Sequence, residues 1–179
     1  MPVEMNIEQS SKSDNSKKDD SSLSADDRLI GYGAADVTHG GVHAGSITCC
    51  GFAKQRSIVA TLCPEDNTVR IWNYETYKCE VVHYFGSDEP LALDVHNNGL
   101  YLVVSFKDRI RGYNIAMASL IAHNEVIQKG CKEIKFSHGG DYFACASGIN
   151  LVVFNTTTFE QLVNFQGHMM PIKRLAWAK

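Results

Sequence analysis

Leu93-Asp94-Val95-His96-Asn97-Asn98-Gly99-Leu100-Tyr101 is followed 41 residues later by Ile134-Lys135-Phe136-Ser137-His138-Gly139-Gly140-Asp141-Tyr142, a second copy of one pattern. In both, alternating apolar residues run into a polar turn ending on glycine, where positive φ is needed, and an aromatic residue opens the next run. Working outward, Phe52, Val95, Phe136 and Trp177 recur at intervals of 43, 41 and 41 residues, and Trp72, Tyr113 and Phe154 at 41 and 41. Short β-like runs at a fixed period in the low forties imply one small sheet per repeat. Such a sheet cannot cover its own two faces, so each repeat must stack on its neighbours.

From about Arg28 onward no window carries a 3.6-residue apolar stripe, and the chain reads as all-β. The runs fall in fours. The first group is Ser46–Phe52, Ser57–Cys63, Thr68–Asn73 and Lys78–Phe85. The second is Leu91–Val95, Leu100–Phe106, Arg109–Asn114 and roughly Ala118–Val126. The third is Lys132–Phe136, Asp141–Ser147, Ile149–Asn155 and Glu160–Phe165. A lone run, Ile172–Trp177, opens a fourth group. The spacing of 43 is assigned to a turn within Leu62–Asn67 that is two residues longer than its counterparts.

Bulk properties narrow the function. Of 179 residues 44% are hydrophobic, which suffices for one domain with a core, and the formal charge of −3 with dispersed Lys and Arg speaks against nucleic acid as a partner. No apolar run approaches the roughly 18 residues of a membrane span, and the first residues lack a secretory pattern, so no membrane association and a cytosolic or otherwise reducing location are expected. The six cysteines, Cys49, Cys50, Cys63, Cys79, Cys131 and Cys145, contain no C-x-x-C pair and read as small reduced hydrophobes within strands. Residues 1–28 differ in kind. Gln9 to Ser24 is nearly all Ser, Lys, Asp and Asn, and such a segment is expected to be a disordered tail. The domain expectation is therefore a tail over 1–28 and stacked sheets over 29–179, with blades at about 46–85, 91–126, 132–165 and the start of another at 172–177.

The strongest local motif is Asp66-Asn67-Thr68-Val69-Arg70-Ile71-Trp72-Asn73. It resembles the end of a WD repeat, with Asn73 where Asp is usual, and Gly41-Val42-His43 stands near the place of that family's Gly-His pair, with Val42 intervening. The resemblance implies an incomplete WD40-type β-propeller of about three four-stranded blades plus one strand. It also implies a structural hydrogen-bond network of His43, Thr61, Asp66 and Trp72. A buried imidazole and carboxylate must satisfy each other, and an indole N–H needs an acceptor. Later repeats place Tyr113 and Phe154 in the Trp slot, Asp108 near the turn carboxylate, and leave the Gly167-His168 pair without its partners.

The same residues do not read as catalytic. A Thr, a His and an Asp within 24 residues lack a strained nucleophile elbow, so no catalytic residue is assigned. His39 and His43 lie four apart on a glycine-rich loop rather than a helix, so no metal site is expected. No phosphate-cradling loop precedes a helix, so no cofactor is expected.

A propeller closes with about four to eight blades, so the sequence is expected to be a fragment, the alternative being that another chain supplies the missing blades. The open ends would expose Ile47, Phe52, Ile172, Leu175 and Trp177. The stretch from Gly130 to Gly140, Thr156-Thr157-Thr158-Phe159-Glu160, Gly167-His168 and the run from Val69 to Glu80 resemble a family of ciliary WD-repeat proteins, over about Ile58 to Lys179. That resemblance implies a non-catalytic axonemal scaffold whose partners are other proteins and which helps anchor or regulate inner dynein arms. Members carry two propellers and a long coiled coil, neither of which is seen here. The runner-up is a generic cytosolic WD-repeat adaptor.

Overall fold

A computed structural model describes residues 42–178, so the expected tail at 1–28 lies outside the described residues. Twelve strands form three antiparallel four-stranded sheets, each paired strictly in chain order. The first sheet holds β1 (Cys49–Ala53), β2 (Ile58–Cys63), β3 (Thr68–Asn73) and β4 (Lys78–Tyr84). The second holds β5 (Pro90–Val95), β6 (Tyr101–Phe106), β7 (Arg109–Ile115) and β8 (Leu120–Ile127). The third holds β9 (Cys131–Phe136), β10 (Tyr142–Ser147), β11 (Asn150–Asn155) and β12 (Gln161–Gln166). This is the blade pattern of a WD40-type propeller. Between β2 and β3 the connection is 64–67, whereas β6–β7 and β10–β11 are joined by 107–108 and 148–149. That longer turn is the source of the first interval's two extra residues.

Burial along equivalent strands shows which faces are covered. In β2, Ile58, Ala60 and Leu62 are buried while Val59 and Thr61 are half-buried, so one face of the first sheet is covered. In β6, every residue from Leu102 to Phe106 is buried, as expected of a sheet sandwiched on both sides. In β11 the alternation returns, with Val152 and Phe154 buried and Leu151 and Val153 half-buried. Two apolar clusters lie in the two gaps. Leu62, Ile71 and Val81 pack on Leu93, Leu102 and Phe106, and Ala92, Val103 and Ile110 pack on Ile134, Phe143 and Phe154. At about 1.5–3 kcal/mol for each large apolar side chain buried, these gaps supply most of the cohesion between sheets.

Polar contacts reinforce the stacking. The innermost strands β1, β5 and β9 lie side by side. Asp94 on β5 accepts from the Phe136 amide at 2.8 Å and from Lys135 Nζ at 3.2 Å, both on β9. Burial pushes the Asp94 carboxyl pKa up, against the pull of Lys135 and that amide. Asn97 Nδ2 donates to the His138 carbonyl at 2.6 Å, joining equivalent turns. Gly99 has φ of +70°, and a Cβ there would lie 2.5 Å from Cβ of Arg56 in the preceding blade. Glycine at that turn therefore serves both the backbone and the neighbour that covers it.

Three features depart from the sequence reading. The 172–177 segment is not a strand, because no ladder pairs it with another strand among the described residues. Two single bonds hold it to β9, Trp177 Nε1 to Lys135 O at 3.0 Å and Arg174 Nη1 to Glu133 Oε2 at 3.1 Å, and Ile172 N to Gly148 O at 2.9 Å ties it to the β10–β11 turn. Those contacts leave Ile172, Leu175 and Trp177 half-buried rather than exposed. Ile47 and Phe52 are exposed, the latter stacked on Tyr74 with ring centroids 5.4 Å apart. Finally, β8 runs from Leu120 to Ile127, shifted from the expected Ala118–Val126.

Phe143 is fully buried between the second and third sheets, whereas Phe165 on β12 is 55% exposed. Phe143→Ala is expected to lower stability by about 3–5 kcal/mol in urea denaturation of the full chain, and Phe165→Ala by under about 1 kcal/mol. Equal effects would contradict the stacking described.

Candidate functional site

The four residues singled out in the first repeat converge at its entrance. β2 carries Thr61 and β3 carries Trp72, while the β2–β3 turn supplies Asp66 and the segment ahead of β1 supplies His43. His43 Nδ1 lies 3.1 Å from Asp66 Oδ2, and His43 Nε2 lies 2.8 Å from Thr61 Oγ1. Trp72 Nε1 donates to the same Thr61 oxygen at 2.8 Å. The His43 side chain is 3% exposed although Val42 beside it is 78% exposed. The intervening valine thus points to solvent and leaves the imidazole free to turn inward.

Two further participants were given no role by the motif, although Thr68 lies within it. Thr68 donates its hydroxyl to Asp66 Oδ1 at 2.6 Å and its amide to the same oxygen at 3.0 Å, while the Ala44 amide donates to Oδ2 at 3.0 Å. Burial would raise the Asp66 carboxyl pKa, but the Thr68 hydroxyl, the Ala44 amide, His43 and the Thr68 amide outweigh it and hold the carboxyl at about 2. An ionised carboxylate only accepts, so the Nδ1 proton of His43 faces it, and in the neutral ring Nε2 takes the Thr61 hydroxyl proton. Cys63 is the second unsignalled neighbour. Its sulfur and the ligating atoms of His43 and Asp66 all lie within 4.8 Å of one another. Both ring nitrogens of His43 and both oxygens of Asp66 are already engaged in hydrogen bonds.

Thr61, His43 and Asp66 follow the order of a nucleophilic triad, hydroxyl to imidazole to carboxylate. Here the Thr61 hydroxyl also accepts from the Trp72 N–H, which ties it into the internal bonding of the blade. Later repeats lack this arrangement. Tyr113 and Phe154 occupy the Trp72 register and are almost wholly buried, filling the gaps with rings. Asp108 is 58% exposed and pairs with Arg109 at 3.1 Å rather than with an imidazole. His168 is exposed.

Residues 38–73 match the model of the WD domain, G-beta repeat, a span that contains all four residues of the network. Three stacked four-stranded sheets and this match define a WD-repeat protein. The chain is similar to cilia- and flagella-associated protein 57 of Mus musculus, 35% identical over 136 residues, covering 76% of this chain and 11% of that protein. It is also similar to cilia- and flagella-associated proteins 57 C and 57 A of Tetrahymena thermophila. Identity is 35% over 150 residues with the first and 38% over 122 with the second, covering 76% and 68% of this chain and 11% and 9% of theirs. The chain thus spans about a tenth of the length of these curated relatives.

The depressed carboxyl fixes a pH dependence. With a folded pKa of about 2 against roughly 3.9 unfolded, the Asp66 contribution is complete above about pH 4 and is lost as pH falls through about 2. Asp66→Asn is expected to lower stability at pH 7 by about 1–3 kcal/mol and to flatten the decline between pH 4 and 2. Urea unfolding across that range checks both; an unchanged acid limb would show that the carboxylate is not held as described.

Proposed function

We propose that this chain is part of a non-catalytic WD-repeat scaffold of the cilium or flagellum, which presents its loops and blade edges to axonemal proteins and helps anchor or regulate inner dynein arms. The observation carrying this reading is the 35% identity to cilia- and flagella-associated protein 57 across 76% of the chain.

The chemistry of the first repeat supports a structural role. His43, Thr61, Asp66 and Trp72 tie the entering segment, the β2–β3 turn and β3 together, and every hydrogen-bonding atom invoked is used internally. In this reading the network stabilises the blade and makes no ligand contact. His43→Ala should then lower stability and partner binding together, with no separable activity lost.

The localising experiment is a tag on the endogenous protein in a ciliated cell, followed by detergent extraction and salt washing of isolated axonemes. Retention on the washed doublets, with reduced inner-arm dynein in axonemes lacking the protein, is expected. Absence from the axonemal fraction would favour a cytosolic adaptor and end the ciliary assignment.

A further inference from the structure

Between the second and third blades the structure encloses a cleft of about 420 Å³. Its wall mixes aromatic, aliphatic and polar side chains. Tyr101 and His123 have ring centroids 5.9 Å apart, and His123 meets Phe159 edge-on at 5.8 Å. Polar groups of both kinds interrupt these rings, with Asn114, Asn124, Asp141 and Thr156 among them. Asn114 Oδ1 is buried in the wall without a protein donor. Asp141 lies on the cleft with an exposed side, and its carboxylate enters none of the ion pairs among the described residues. Asn124 Nδ2 donates to the Thr157 carbonyl at 2.7 Å across the blade junction, which fixes the spacing of the two walls.

No lysine or arginine lines the cleft. Burial pushes the His123 pKa down, against a hydrogen bond to the Gly112 backbone, so at neutral pH this ring adds a π face rather than a charge. A carboxylate without an ion-pair partner and several ring faces together favour a cation on an apolar stem. Ring faces attract cations through their quadrupole.

We propose that this interblade cleft receives a lysine or arginine side chain projected by a partner protein, with the Asp141 carboxylate taking its N–H donors and Tyr101 packing on it. The proposal rests on the scaffold reading only in assigning the cation to a protein. The site itself stands on the geometry of this chain.

The test uses the ¹⁵N-labelled full chain, followed by amide shifts. Probes are the Nα-acetyl methylamides of lysine and arginine, with that of norleucine as the uncharged control. Saturable shifts centred on Gly112, Asn114, His123 and Thr157 are expected with at least one cation, and binding of norleucine at least about tenfold weaker. Asp141→Asn and Tyr101→Leu should each weaken the cation about three- to tenfold and leave norleucine unchanged. Both side chains are partly exposed, and the amide spectrum of each variant verifies its fold. No saturable shift, an equal response to norleucine, or full affinity in Asp141→Asn would each overturn the proposal. None of those outcomes bears on axonemal retention, so the two readings fail separately.

Discussion

Each sheet in this chain is apolar on both sides, and neither side can be covered from within its own repeat. Everything else follows from that requirement. The middle sheet satisfies it completely, with β6 buried along its length, while β2 and β11 remain half-covered on their outward faces. The hydrogen bonds that accompany stacking also join equivalent places in neighbouring repeats. Asp94 meets Lys135, Asn97 meets His138, and Glu133 meets Arg174, each pair 41 residues apart. From the second blade onward the sequence period is thus also the spacing of contacts in space, whereas at the first junction Arg56 meets Gly99 43 residues on.

The first repeat adds a polar solution to a problem that later repeats solve with rings. Around Trp72 the indole N–H must be satisfied, and Thr61, His43 and Asp66 form the chain that satisfies it. In the next two repeats Tyr113 and Phe154 fill the same register and are buried against neighbouring rings. Phe154 brings no polar atom, so the imidazole and carboxylate have nothing to support there. Loss of the network in those repeats is therefore compatible with an intact stack, because ring burial takes over the cohesive role.

Much of this is legible in the order of residues alone. Alternation with a period of two and glycines in the turns locate the twelve strands to within one to three residues of their bounds, since both signals are local. The network residues are legible too, because Trp72 and Asp66 sit in one motif and the WD-repeat pattern points back to His43. Thr68 and Cys63 are not, as a threonine and a cysteine inside apolar strands look like packing. Ile172–Trp177 reads as a strand from its alternation, yet a ladder also needs a partner strand, which alternation cannot announce. Least legible is the cleft between the second and third blades. Its walls come from separate repeats, and an orphaned amide oxygen leaves no trace in a pattern of residue types.

Because each of the described sheets is woven from one uninterrupted stretch and pairs only with itself, no strand among the described residues is threaded between blades. Tension applied to the ends would therefore load the stack like beads on a cord. Any one of these sheets can loosen and re-form without disentangling another, so strain on one would stay local. Such serial give lets the stack yield by degrees while its remaining contacts hold.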